Sequence, residues 1–252
     1  MAKDKYRPLV NEYEKVLLEK NKKLYQDLLR KTQQDLLNLY NTNDYYGRTE
    51  YYQSAKYIEL IKSLNNRLQE LGIAQDKQLT EELVKFAKEI QNKVGLDIGV
   101  PGNANLFSTE PIVKTIWAPD KKDFSARIWT NNNLVKEALT EGIADVIIRG
   151  KGEEAIISQL LPLVKTTCST GLSRATTLAR TELAFVRANQ TLESYRKAGI
   201  KEYIFKNTDD KDTCDICHDY NDKHFLVKDA VIGENFPPMH PNCRGWTIPV
   251  FK

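Results

Sequence analysis

The sequence predicts a mainly α-helical protein that includes a small α+β segment rich in cysteine and proline near its C-terminus. Three observations support this fold class. Apolar residues recur at helical spacing over much of the chain, prolines and glycines interrupt the pattern at residues 95–123, and three of the four cysteines fall within residues 214–243. A length of 252 residues with a hydrophobic share of 41% suffices for one large domain or two small ones.

The first segment, residues 1–95, is predicted to be a helical arm. Turn-forming residues at 41–47 and Gly72 divide it, and Thr80, which two acids follow, is a candidate helix start. Because no strict seven-residue repeat persists, we expect a helical bundle or hairpin rather than a coiled coil. Three apolar sets recur at helical spacing: Leu9, Tyr13, Val16, Leu17, Leu24 and Leu28; Tyr57, Ile58, Ile61, Leu64, Leu68 and Leu71; and Leu79, Leu83, Phe86, Ile90 and Val94.

Residues 96–132 are predicted to link this arm to the second half of the chain. Pro101, Pro111 and Pro119 exclude a continuous helix here, because proline lacks the backbone N–H that a helix interior requires. One short extended piece is expected at residues 112–117. The linker therefore separates two helical regions.

The second half begins with helices and continues into a strand. Residues 201–207 alternate as a short strand does, with Tyr203 and Phe205 on one face. The predicted helices begin at about Asn133, cover residues 153–164, and cover residues 172–197 with a cap at Gly199.

Composition and charge weigh against several classes of protein. The net charge is +3, from 37 basic and 34 acidic side chains, which lacks the basic excess of a dedicated DNA-binding protein but permits a local patch. No run approaches the ~18 apolar residues that span a bilayer, and the N-terminus lacks the apolar stretch of a secretory signal. We therefore expect folding in a reducing cytoplasm, where cysteines are thiols or metal ligands.

Two short pairs of metal-ligand residues stand near the C-terminus. Cys214 and Cys217 form one pair, and His240 and Cys243 form the other, each with two residues between. Brought together, three thiolates and one imidazole make a tetrahedral set that suits zinc and leaves no open position for water, so the predicted site is structural. Binding would supply on the order of 10 kcal/mol to a polar segment with little core. We therefore predict a zinc knot over about residues 201–250, called the C-terminal knot below.

Other interpretations of these residues stay open. Cys214 and Cys217 could form a redox pair, although no thioredoxin-like pattern surrounds them, and iron could take the place of zinc. His218 could replace His240 as the ligand, but neighbouring residues such as Cys217 and His218 rarely both reach one ion. His224 is expected on the surface.

Four further residues have a less specific interpretation. Cys168 is expected to be a small buried side chain at the start of a helix. Asp209, Asp210 and Asp212 could bind a metal or act as general acids and bases. We favour the interpretation that they form a solvated turn before the first cysteine.

Four short elements of the second half occur in the same order as in a known family. They are residues 124–129, 179–182, 212–217 and 233–244. Together they resemble the Mu F-like head morphogenesis family, the minor head proteins of tailed phages, over roughly residues 112–250. Gly245 departs from the family pattern, because many members carry a second cysteine at that place. A fifth thiolate is therefore absent, and the four-ligand set is the natural one.

The resemblance implies a low-copy component of the virion, near the portal or inside the head, that assists head assembly and DNA packaging or ejection. It makes residues 133–252 a Mu F-like domain whose two cysteine–histidine pairs hold the metal. It also implies that Arg180 and Glu182 fix the knot against the helical body through a buried pair with Arg244. The alternative, which stays open, is that these residues are solvated on the surface. Residues 1–95 become the candidate region for contact with portal, capsid or scaffold proteins.

Three functions compete at this point. An assembly protein without enzymatic activity would bind head proteins through the arm, with tyrosines at the interface. A zinc-supported nuclease would need a histidine such as His224 beside an open metal position. A DNA-binding module would bind phage DNA weakly, non-specifically and with strong salt dependence. We predict the first function and no contact with membranes; the candidate interface tyrosines are Tyr45, Tyr46, Tyr51 and Tyr52.

Overall fold

The structure is a computed structural model, and it describes residues 3–41, 50–99, 115, 121–148, 156–208, 210–211 and 213–251. Within these residues the chain is mainly helical with a small antiparallel sheet near the C-terminus, which confirms the predicted fold class in its coarse form. None of the helices in this part of the chain has the length and apolar character needed to cross a lipid bilayer.

The helical elements are long in the first three quarters of the chain and short after it. A π-helical turn, Ile156–Leu160, leads directly into the fourth helix, and a 3-10 turn covers Val227–Asp229. The α-helices are α1 Arg7–Asn41, α2 Glu50–Asp97, α3 Phe124–Ile148, α4 Leu161–Lys197 and α5 Asp215–Tyr220. The described chain forms two compact units, each built from separate stretches of sequence.

Helix α2 runs without interruption through Gly72 and Thr80, so the predicted break and the predicted helix start are both wrong. The glycine has a packing role instead. A Cβ at Gly72 would lie 2.6 Å from Cζ3 of the Trp129 ring on α3, so a side chain there would collide with the indole. Glycine in a helix interior costs about 1 kcal/mol relative to alanine, and here it permits the close approach of α2 to the Trp129 ring on α3. Helix α1 ends at Asn41, where the turn-forming run begins, and residues 42–49 lie outside the described residues.

Helix α3 begins at Phe124 rather than at about Asn133, so the end of the predicted linker is helical. Phe124 and Ile128 are buried one helical turn apart, which gives this first turn an apolar face. The predicted extended piece at residues 112–117 lies, apart from Thr115, outside the described residues.

Helix α4 is one continuous helix where the sequence predicts two. Pro162 does not interrupt it, because proline is tolerated in the first turn, where the backbone N–H has no helical partner. The predicted cap at Gly199 is confirmed: its φ is 68°, and the N–H of Ile200 donates to the carbonyl of Tyr195 at 3.0 Å.

One unit consists of Glu19–Lys77 and Ala126–Thr176. Its core is a cluster of apolar side chains, mostly leucine, from α1, α2, α3 and the first part of α4. Within this unit the buried amides of Asn21, Gln75 and Asn132 are joined by two hydrogen bonds of 3.1 Å, which satisfy polar groups that burial would otherwise penalise.

The other unit consists of Met1–Leu18, Gln78–Ser125 and Thr177–Lys252. Its sheet contains β1 (Glu202–Lys206), β2 (His224–Leu226) and β3 (Trp246–Val250) in the order β2-β1-β3, with antiparallel pairing throughout. The predicted strand is confirmed, and its two aromatic residues are buried as expected. Tyr203 packs with residues of α4 and with Phe236, whereas Phe205 packs with two of the cysteines.

Candidate metal centre

The first cysteine pair is arranged by the start of helix α5. Cys214 is the N-cap residue, and its Sγ accepts a hydrogen bond of 3.4 Å from the backbone N–H of Cys217. Its carbonyl accepts from the N–H of His218 at 2.9 Å, which closes the first helical turn. A capping turn of this kind brings the two sulfur atoms to the same side of the chain.

The second pair is held in a tight turn. The N–H of Cys243 donates to the carbonyl of His240 at 3.1 Å, and Asn242 has a φ of 60°, a conformation that asparagine tolerates better than most residues. The turn directs Nε2 of His240 towards the first pair, at 3.0 Å from Sγ of Cys214 and 3.5 Å from Sγ of Cys217.

Cys243 lies beside this group, with its Sγ 3.5 Å from Sγ of Cys217, but it is not one of the three residues whose ligand atoms all lie close to one another, so its part in the predicted set of four stays a prediction. A tetrahedral zinc ion, with Zn–S of about 2.3 Å and Zn–N of about 2.0 Å, separates its ligand atoms by roughly 3.5 to 3.8 Å. The distances in this cluster are close to those values or slightly shorter. The ligand atoms of Cys214, Cys217 and His240 all lie within 4.8 Å of one another, and this group could hold a metal ion.

The thiols and the imidazole of this cluster shift one another's pKa values. The hydrogen bond with Cys217 lowers the pKa of the Cys243 thiol, and the same contact raises the pKa of Cys217, so one sulfur carries the charge while its neighbour keeps the proton. The contact with Cys243 also raises the pKa of His240 to about 9. Crowded thiols of this kind lose their protons together only when a metal ion compensates their charge.

Burial raises the pKa of Cys214, but hydrogen bonds from Cys217 and the proximity of His240 outweigh it and leave that pKa below its usual value. Cys168, by contrast, lies inside α4, where burial raises its pKa to about 12. Its burial confirms the predicted role, although it is not at a helix start. All four cysteines are within the described residues, and each is a free thiol rather than part of a disulfide.

Groups around the cluster orient the ligands, and no local sequence pattern indicates these groups. Nδ1 of His240 is 2.8 Å from the carbonyl of Pro241, which can only accept, so Nδ1 carries a proton and Nε2 is the ring nitrogen that faces the sulfurs. The N–H of Gly245 donates to Sγ of Cys243 at 3.5 Å, and the amide of Asn207 donates to the carbonyl of Cys217 at 2.6 Å.

The competing candidate ligands are placed elsewhere. His218 is not part of the metal-ligand group that the described residues form. His224 is exposed on β2, as predicted, with its Nδ1 2.6 Å from a carboxylate oxygen of Glu202. Asp210 pairs with Arg244 through two hydrogen bonds of 2.8 and 2.5 Å. Asp209 and Asp212 lie outside the described residues.

Helix α4 contacts the knot through Thr181, the middle residue of the Arg-Thr-Glu element. Its hydroxyl donates to the carbonyl of Thr177 at 2.7 Å and accepts from the N–H of Asn242 at 3.2 Å. Glu182 is 1% exposed, which rules out its interpretation as a solvated surface residue. Arg180 approaches Glu14 at 3.6 Å, and a pair between Glu182 and Arg244 stays a prediction.

Gly245, where many Mu F-like proteins were expected to carry cysteine, is closely packed. A Cβ at this position would lie 3.0 Å from Cζ of Phe205 and 3.0 Å from Cβ of Pro237. The surrounding side chains therefore leave little room for a thiol there.

Comparison with known proteins gives one match. Residues 134–248 match the family model described as phage Mu protein F like protein, which confirms the resemblance predicted from the four short elements, of which residues 124–129 lie outside the match. The matched segment contains all four candidate ligands. No curated protein and no solved structure matches the chain.

Proposed function

Residues 134–248 of this chain belong to the phage Mu protein F like family, and from this premise we propose that the protein is a minor structural component of a tailed-phage head. The family match is the observation that supports a head-related structural role. The proposal adds a location in the virion, near the portal or inside the head. It also adds a part in head assembly and in DNA packaging or ejection.

Within this role, Cys214, Cys217, His240 and Cys243 are the ligands of a structural Zn²⁺ ion. The proposal is supported by the close approach of their ligand atoms, between 3.0 and 3.5 Å for the contacts described above. Zinc bound here would supply a rigid crosslink between α5 and the turn before β3, in a segment with a small apolar cluster of its own. Four protein ligands leave no position for a reacting water, so the proposed role is not enzymatic.

Domain limits and partner contacts form the second part of the proposal. Residues 1–95 serve as the contact region for portal, capsid or scaffold proteins, and residues 133–252 as the Mu F-like domain. Ile58 and Ile73 support a contact role for α2, because both are large apolar side chains with more than half of their surface exposed. The four candidate interface tyrosines have side chains outside the described residues.

The experiment combines metal analysis with a binding assay. The full-length protein is purified without added metal, its zinc content is measured, and it is tested for capture of the portal protein and of the major capsid protein of the same phage. We expect one zinc ion per chain and specific capture of a head protein.

Variants separate the two parts of the proposal. Cys217→Ser should abolish zinc binding, while Cys168→Ser, the matched control, should retain it. Failure to capture any head protein by a folded, zinc-loaded chain would remove the head role. Absence of zinc from a chain that still captures a head protein would remove only the metal. Metal-dependent cleavage of plasmid DNA that His224→Ala abolishes would replace the structural role with a nuclease.

A further inference from the structure

A cleft of about 420 Å³ in the unit that contains the knot is lined by four arginines and a single acidic residue. Arg7 is on α1, Arg180 and Arg187 are on α4, and Arg244 is in the knot. The acid is Glu14. Three separate segments of the chain therefore place guanidinium groups around one cleft. Because like charges repel, such a grouping is unusual on a surface that binds only water.

Two of the arginines are already held by strong pairs. Arg187 makes two hydrogen bonds to the carboxylate of Asp4, at 2.7 and 2.6 Å, and its side chain is 11% exposed. Arg244 makes a similar pair with Asp210. These two side chains are fixed in position, and their paired carboxylates balance their charges, so the uncompensated charge of the cleft comes from the other two arginines.

The other two arginines share one carboxylate at longer distances. Arg7 lies 3.4 Å and Arg180 lies 3.6 Å from different oxygens of Glu14, whereas a strong charged hydrogen bond measures about 2.7 to 2.9 Å. Their side chains are 36% and 49% exposed. Glu14 therefore balances only one of the two charges, and neither guanidinium is fully engaged by it.

From this arrangement we infer that the cleft binds the phosphodiester backbone of a nucleic acid, with Arg7 and Arg180 as the contacting residues. A phosphate group accepts several hydrogen bonds at once and matches the planar fork of arginine.

The inference does not depend on the head role. It also agrees with the low net charge of the chain, since a local group of arginines needs no global excess of basic residues. The contacts are to phosphate only, so binding carries no base preference and weakens steeply as salt increases.

The test measures binding of a short fluorescein-labelled DNA duplex by anisotropy at two salt concentrations, with inorganic phosphate as the competitor. The double variant R7Q/R180Q should bind about tenfold more weakly, with a salt slope reduced by about 1 to 2. Arg196→Gln is the matched control, because Arg196 is on the same helix, is 46% exposed and also pairs with a glutamate. It should bind as the unaltered protein does.

Glu14→Gln provides a variant that changes binding in the opposite direction. Removal of the competing carboxylate should tighten DNA binding several-fold, a gain that a misfolded protein cannot show. If phosphate binds and is weakened by R7Q/R180Q while DNA does not bind, the site takes free phosphate and the nucleic-acid inference is overturned. Equal DNA binding by R7Q/R180Q and Arg196→Gln, or no effect of Glu14→Gln, would also overturn it.

Discussion

The helical unit of Glu19–Lys77 and Ala126–Thr176 and the C-terminal knot are stabilised in different ways. The helical unit buries a cluster of fifteen side chains contributed by four α-helices and the π-helical turn before α4. Among the described residues, the buried cluster around the metal-ligand group has three members, Phe205, Cys217 and Cys243, and a separate cluster of seven buried residues packs the rest of the knot against α4. A broad apolar core distributes its stabilisation over many contacts, while a small segment concentrates it in a few ligand bonds. Loss of one side chain should therefore have very different consequences in the two regions.

The largest effect is expected for removal of the metal. Cys217→Ala, or a strong chelator, should unfold the knot, because the lost metal binding is worth on the order of 10 kcal/mol. The helices of the other unit should remain, since none of its core residues belongs to the knot. Limited proteolysis combined with far-UV circular dichroism measures both effects: cleavage within residues 201–250 and retention of most of the helical signal.

Cys168→Ala is the control for this experiment, because Cys168 is also buried and has a free thiol but lies in the helical core. It should keep the knot protected from protease. Equal protection of the knot in Cys217→Ala would contradict the proposed difference between the regions.

The second prediction concerns the helical core. Leu139→Ala removes a side chain that is 0% exposed and should lower the free energy of unfolding by about 2 to 5 kcal/mol, from lost burial and a residual cavity. Leu134→Ala, on the same helix but 41% exposed, should change it by less than about 0.5 kcal/mol. Urea unfolding measures both values. Zinc content should be unchanged in each, and a loss of zinc in Leu139→Ala would show that the core and the knot are coupled.

The third prediction concerns the packing of Gly72. Gly72→Ala places a methyl group where the Trp129 ring now lies, and should destabilise the helical unit by about 1 to 3 kcal/mol despite the better helix propensity of alanine. In a Trp129→Leu background the same change should instead stabilise the protein, by up to about 1 kcal/mol. Thermal unfolding of the four variants of this cycle measures the coupling. A penalty that persists without the indole would exclude Trp129 as its cause and would indicate the amide of Asn132, whose Nδ2 would lie 3.0 Å from the new Cβ.

The smallest effect is expected at the contact between α4 and the knot. Thr181→Val removes the hydroxyl that accepts from the N–H of Asn242 and should cost about 1 kcal/mol. Because Asn242 precedes Cys243, the variant should also lose metal to a chelator faster than the unaltered protein. Thr170→Val, on an exposed part of the same helix, removes a comparable hydroxyl and should leave the rate of metal loss unchanged.

Sequence reasoning found the features that depend on local spacing. The cysteine–histidine pairs and the strand at Tyr203 and Phe205 are each encoded within a few residues, and apolar periodicity marks the long helices. It did not find features that depend on distant partners. The break predicted at Gly72 is wrong because the reason for that glycine is Trp129 on another helix. The continuity of α4 was missed because Pro162 was interpreted without knowledge of where the helix begins.

The site shows the same division. The candidate ligands follow from their types and intervals, but the groups that orient them do not. Thr181 and Asn242 are 61 residues apart, and Asp210 and Arg244 are 34 apart. No local pattern distinguishes these polar residues from others on the surface. The four-ligand set and the identity of its ion stay predictions until the metal is measured.

The pair between Asp4 and Arg187 joins residues that are 183 positions apart. This pair joins the first and last of the three separate stretches of chain that form the unit, and the last stretch contains the knot. During synthesis on a ribosome, the helical unit has all of its residues once position 176 has been added. Asp4 must wait for Arg187, which is added only after that point, and such distant closure is slow. The order of translation therefore imposes an order of folding, with the arginine-lined unit formed last.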